Sequence, residues 1–223
     1  MSNADRALEG QYRRRFEKED ATRQRVWKVL INSWFSRYTR DAQSVLDLGC
    51  GWGPFINQID VSERYGLDLN PDAENHLHPG VQLLQQRADE PWPLEANRLD
   101  LVFSSNFLEH LPDRAAVSET LAEAYRCLRP GGTLVLMGPN IKHVGGAYWD
   151  FFDHYVPLTE ASLVEATELV GFKTDTAIGR FLPFTMAGKP SPPSLFVAAY
   201  LRFRPAWWIL GKQFLVVSVK PGP

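Results

Sequence analysis

The sequence predicts an α/β fold, a mostly parallel sheet with helices on both faces, and three observations carry that prediction. Short apolar runs alternate with helical patterns, a glycine-rich turn follows the first run, and prolines and glycines stand at the expected helix ends. Five runs, at 44–48, 65–69, 81–85, 99–104 and 133–137, are followed by two more expected strands at about 172–178 and 212–220, which makes seven.

Residues 11–40 carry both charges, and Trp27, Leu30, Ile31, Trp34 and Tyr38 recur at helical spacing. One or two amphipathic helices are therefore expected before the first strand, with an apolar stripe in need of a partner surface. This divides the chain into an amino-terminal helical lid or extension, 1–43, and a main domain, 44–223. Pro54 stands where a first helical residue would follow the glycine-rich turn. Pro112-Asp113 leads into a helix over 114–128, which Arg129-Pro130-Gly131-Gly132 stops. Thr159 as N-cap and Gly171 as C-cap bracket another helix. Residues 181–211, thick with proline and aromatic side chains, read as an insertion before the last strand.

At 223 residues the chain suits one large domain with decorations. A hydrophobic share of 44%, 22% charged residues and a net charge of -2 give no case for a nucleic-acid partner. Cys50 and Cys127 show no CxxC spacing and read as reduced thiols of a cytoplasmic protein. The apolar run at 195–201 is far shorter than the roughly 20 residues that cross a bilayer, so no transmembrane segment is expected. No histidine, cysteine and acid fall at ligand spacing, so no metal is expected either.

The first run continues as VLDLGCGWGPF, Val45 to Phe55. A dinucleotide fingerprint would place its third glycine, the one that packs the helix on the strand, where this chain has Pro54. The spacing is instead Gly49, Gly51 and Gly53, with the acid Asp47 inside the strand. This stretch resembles the first motif of class I S-adenosylmethionine-dependent methyltransferases of the methyltransferase-11 type, and the blocks after it agree in order from about Ser44 to Asn140. The resemblance implies a Rossmann-like seven-stranded sheet with an antiparallel last strand, and S-adenosylmethionine as cofactor. It implies that Asp68, beside Leu69 in YGLDLNPD, meets the ribose hydroxyls, where a carboxylate suits a cis-diol. Asp89 in RADEPWPL matches the acid near the adenine amino group, and Asn106 in FSSNFLEHLPD the segment that closes over the methionine part. Asp47 either contacts cofactor or orients the glycine loop. The structural alternative for Asp68 is an N-cap ahead of Pro71, and for Asp89 a turn before Pro91.

Methyl transfer from a sulfonium is a one-step displacement that rewards holding two reactants in line. A hydroxyl acceptor also needs a base, for which histidine is the usual side chain near neutral pH. His76 and His78 sit in a proline-flanked loop and read as solvated, while His110 suits capping or packing as well as the site. His143 and His154 flank GGAYWDFFDHYVPLT, which leaves the fifth strand at its carboxyl end, where open sheets bind ligands. Tyr148, Trp149, Asp153 and His154 are the candidate substrate wall, with His154 or Asp153 as base; the alternative is an aromatic cap that locks the loop. Tyr12, Arg13, Arg14, Arg15 and Phe16 suit a lid, or else a solvated charged helix. In the insertion, SPPSLFVAAYLRFRPAWWILGK suits a homodimer surface, a second lid or contact with a lipid interface. The function expected is methyl transfer to a small-molecule or sugar-containing acceptor, with a lipid-linked one as a further option. The rival is a cofactor- or partner-binding protein of the same fold without turnover, and Pro54 argues against a nicotinamide-dependent reductase.

Overall fold

The computed structural model describes residues 20–184 and 193–222, with side chains described from residue 23 onward. The strands are β1 (Ser44–Leu48), β2 (Glu63–Leu67), β3 (Val81–Leu84), β4 (Leu99–Ser105), β5 (Leu128–Pro139), β6 (Lys173–Ile178) and β7 (Gln213–Val219). They form one sheet in the order β3-β2-β1-β4-β5-β7-β6. The first five run parallel, and β7 lies antiparallel between β5 and β6, as the seven-stranded expectation had it.

Successive residues of a strand point to opposite faces, so each central strand feeds two cores. Leu46, Leu48, Val102, Leu134 and Val216 pack on one face, under α2 (Arg114–Cys127) and α3 (Glu160–Val170). Val45, Leu101, Phe103, Val135, Leu215 and Val217 pack on the other, under α1 (Asp20–Leu30) and the late insertion. α1 runs through a π-helical turn, Ile31–Phe35, into a last turn at Ser36–Thr39. The insertion holds α4 (Ser194–Arg202) and α5 (Pro205–Leu210). Trp34 joins these parts, with ring centroids 5.1 Å from Phe181 and 5.3 Å from Trp207.

The expectation that a helix opens at Pro54 is corrected. Only 3-10 turns, Ile56–Gln58 and Pro71–Asn75, occupy the connections from β1 to β2 and from β2 to β3. The reason is length. Recrossing a five-residue strand of about 16 Å takes about eleven helical residues, and 56–62 are too few. The face is covered instead by α1 and the insertion. The proposed lid residues Tyr12 to Phe16 lie outside the described residues.

The helix ends follow their chemistry. Asp113 accepts the N–H of Ala116 at 2.9 Å to open α2. Thr159 and Ser162 form a reciprocal capping box at α3, and Gly171 ends that helix at φ +112°, in the left-handed region. Thr159→Ala should therefore cost about 1 kcal/mol of stability, read as a lower urea midpoint with an unchanged slope.

Candidate functional site

The glycine-rich turn sits at the carboxyl end of β1. Gly49, Gly51 and Gly53 have φ of +72°, +51° and +67°, a conformation costly for other residues. Space adds a second demand at Gly49, where a Cβ would stand 2.3 Å from the Phe107 ring. The turn is tied to β2: Leu67 O accepts the N–H of Gly49 at 2.8 Å and of Cys50 at 3.2 Å. Asp68 completes the tie. One carboxylate oxygen accepts the Gly51 N–H at 2.8 Å and the other the Asn70 N–H at 2.9 Å. Burial raises the Asp68 carboxyl, opposed by those N–H groups and by His110. Asp47 is buried beneath the turn.

The other candidates line the same edge of the sheet. Leu69 is exposed by 62% beside Asp68. Asp89 lies past β3 and is paired with Arg87, which lowers its pKa. Asn106 follows β4 at φ +52°, donating its N–H to Met137 O at 2.8 Å and its amide to Ser105 Oγ at 3.0 Å. His76, expected in solvent, is instead stacked on Trp52, with ring centroids 3.8 Å apart. Asn57 holds that stack together by donating to Trp52 O and His76 O.

The aromatic loop after β5 divides in two. Tyr148 is wholly buried and donates its hydroxyl to Val156 O, so it supports the loop from inside. Trp149, Phe152 and Tyr155 are exposed. Asp153 and His154 are buried, and both meet His110, the residue that the sequence left between packing and function. His110 Nδ1 lies 2.8 Å from Asp153 O and 3.3 Å from Asp153 Oδ2. The rings of His110 and His154 meet edge to face at 4.9 Å. Burial depresses the His110 imidazole, but Asp153 and Glu109 outweigh it and raise its pKa.

Glu109 is the member of this corner that sequence reasoning passed over. It is almost fully buried, burial raises its carboxyl, and its backbone carbonyl accepts the N–H of Tyr155 at 2.8 Å and of Val156 at 3.2 Å. The available signal was an acid and a histidine side by side between apolar residues in FLEHL, where a solvent-facing turn has no need of apolar neighbours. One ligand atom from each of Glu109, His110 and His154 lies within 4.8 Å of the others, a cluster that no linear spacing announces.

Comparison with known proteins agrees with this geometry. Residues 46–136 match a family model described as a methyltransferase domain. A protein of Mycolicibacterium smegmatis, described as a probable S-adenosylmethionine-dependent methyltransferase, is 32% identical over 166 residues, covering 67% of this chain and 63% of that protein. A ubiquinone/menaquinone biosynthesis C-methyltransferase of Dinoroseobacter shibae is 31% identical over 126 residues, covering 51% of this chain and 48% of its own. The chain thus spans less than two thirds of the length of these curated relatives. A solved methyltransferase from Archaeoglobus fulgidus shares the fold at a TM-score of 0.66 and 19% identity, over 88% of this chain and 94% of its own. Residues 46–136 are thus a methyltransferase domain, in a chain with the fold of the S-adenosylmethionine-dependent methyltransferases. The cofactor of that family is S-adenosylmethionine, and the cradle of left-handed glycines beside a half-buried carboxylate fits it.

Asp47 makes the turn sensitive to pH. Burial pushes its carboxyl up to about 8, against the Ile56 N–H that favours the charge and with Asp68 raising it further. An unfolded aspartate titrates near 3.9, so the folded chain holds the proton more tightly. The stability from this group is full below about pH 4 and falls as pH rises towards about 8. Asp47→Asn should remove this dependence, so that its melting temperature gains on the wild type as pH is raised through that window. A constant gap between the two melting curves would exclude Asp47 as the titrating group.

Proposed function

We propose that the chain transfers a methyl group from S-adenosylmethionine to a small-molecule or sugar-containing acceptor. The observation that carries this reading is the glycine turn locked to Asp68 at the carboxyl end of β1. Each Asp68 oxygen accepts one backbone N–H and keeps a lone pair for a ribose hydroxyl. Leu69 offers an exposed apolar surface to the adenine, Asp89 its polar edge, and Asn106 the amino-acid end. Bound there, the cofactor supplies an electrophilic methyl on a positively charged sulfur. The chain contributes orientation, because the same edge carries the loop with Trp149, Asp153 and His154 and so holds an acceptor beside the cofactor. Where the acceptor is a hydroxyl, its proton must leave, and the assignment of that task to His154 widens to the corner it shares with Glu109 and His110.

The exposed Leu195, Phe196, Phe203, Trp208, Ile209 and Leu210 of the insertion are the surface on which a lipid-linked acceptor or a second copy of the chain would sit. Among the described residues no helix is long and apolar enough to cross a membrane.

Asp68→Ala should weaken binding of S-adenosylhomocysteine by about 1.5–3 kcal/mol, roughly 10- to 150-fold, by calorimetry. Because Asp68 also braces the turn, the ribose contact is isolated with an analogue lacking both ribose hydroxyls. The loss from the variant and the loss from the analogue should not add; full additivity would remove Asp68 from the ribose. Screening acceptors for release of S-adenosylhomocysteine tests turnover, and tight cofactor binding with no release from any acceptor would favour the non-catalytic reading.

A further inference from the structure

Glu109 and His110 adjoin in the turn after β4, and His154 reaches them from the loop after β5. We propose that these three side chains form a binding site for a first-row divalent transition-metal cation, held by one carboxylate and two imidazoles.

The first support is their convergence out of water. One ligand atom of each lies within 4.8 Å of the other two, and Glu109 and His154 are buried. A buried carboxylate is costly unless it meets a cation or strong donors. The carboxylate lies against β5 at Gly138, where a Cβ would stand 3.5 Å from Glu109 Oε2, an ordinary contact.

The second support is the orientation of the ligands. His110 Nδ1 faces the backbone carbonyl of Asp153 at 2.8 Å. A carbonyl oxygen only accepts, so Nδ1 carries the hydrogen and the neutral ring presents its Nε2 lone pair elsewhere. The Asp153 carboxylate, 3.3 Å from the same nitrogen, is the outer partner that metal-bound histidines use to fix their tautomer. The His154 ring is held in turn, stacked on Phe151 at 4.9 Å and packed on Tyr148 at 4.5 Å. The N–H groups of Tyr155 and Val156 bind the Glu109 carbonyl, so the two segments that bring the ligands are themselves joined.

The donor set selects the ion. Imidazole and carboxylate together suit zinc, cobalt or iron(II), whereas calcium and magnesium prefer oxygen alone. Three protein ligands leave a position open for water or substrate, as in catalytic zinc sites. Ligands about 2.1 Å from a tetrahedral ion stand about 3.4 Å apart, so binding draws this cluster inward. A cation here would lower the pKa of a hydroxyl placed on it and relieve the need for a side-chain base. That consequence rests on the methyltransferase reading; the site itself does not.

The test is titration of the chelator-stripped chain with Co2+, without cofactor or acceptor. Expected are one Co2+ per chain, ligand-field absorption without the sulfur charge-transfer band that Cys50 or Cys127 would give, and a melting temperature that rises with Co2+. Glu109→Gln and His154→Gln should each weaken Co2+ binding more than 100-fold by rough expectation, and Asp153→Asn by about 10-fold, with folding checked by circular dichroism. Wild-type protein with no ligand-field band and no rise in melting temperature would overturn the site even if every variant failed to fold. So would folded variants that bind Co2+ as the wild type does. Since no methyl transfer is measured, failure here leaves the methyltransferase reading standing, and the converse also holds.

Discussion

The carboxylate of Asp68 is the constraint on which the carboxyl edge of the sheet depends. Its two oxygens accept N–H groups from two different connections, Gly51 in the turn after β1 and Asn70 in the turn after β2. Three glycines in the left-handed region make a turn with few side-chain contacts of its own, so something outside must hold its shape. Asp68 does so from one side and the Phe107 ring, pressed against Gly49, from the other. Both anchors lie at strand ends, and the positions of strand ends are set by the registry of β1 with β2 and β4.

The same edge concentrates buried acid. The charge of Asp68 disfavours ionisation of the buried Asp47, and Glu109 is buried a short way along. His110 faces both: a proton on its ring opposes the rise in the Asp68 and the Glu109 carboxyls. Desolvation favours the neutral form of each carboxyl, and a positive charge nearby favours the ionised one.

The helical wrapping has an uncommon source. Short connections beside β1 and β2 leave one face without its own crossover helices, and that face is covered by α1 from the start of the described chain and α4 and α5 from near its end. Trp27, Trp34, Phe35, Phe55, Phe103, Phe181 and Trp207 make this an aromatic core, with several rings meeting edge to face. The insertion is therefore a structural layer as well as a surface, since Trp207 and Val197 point inward while Trp208 and Ile209 point outward.

The sequence by itself determined the sheet, because strand runs, capping residues and the glycine turn are local signals: Thr159, Gly171 and Asp113 act within a few residues of where they stand. Through the order and spacing of Gly49, Gly51, Gly53 and Asp68 it also carried the family resemblance that implies the cofactor. What it misjudged was set by geometry between distant segments. Pro54 promised a helix that the short path back across the sheet does not allow, and His76 looked solvated until Trp52 was brought against it. Only the tertiary structure decided that Tyr148 supports the loop from within, and only it assembled Glu109, His110 and His154. A chain records which residues are neighbours along it, whereas a cluster at the end of a sheet depends on which strands lie side by side, and β4 meets β5 across a long stretch of intervening sequence.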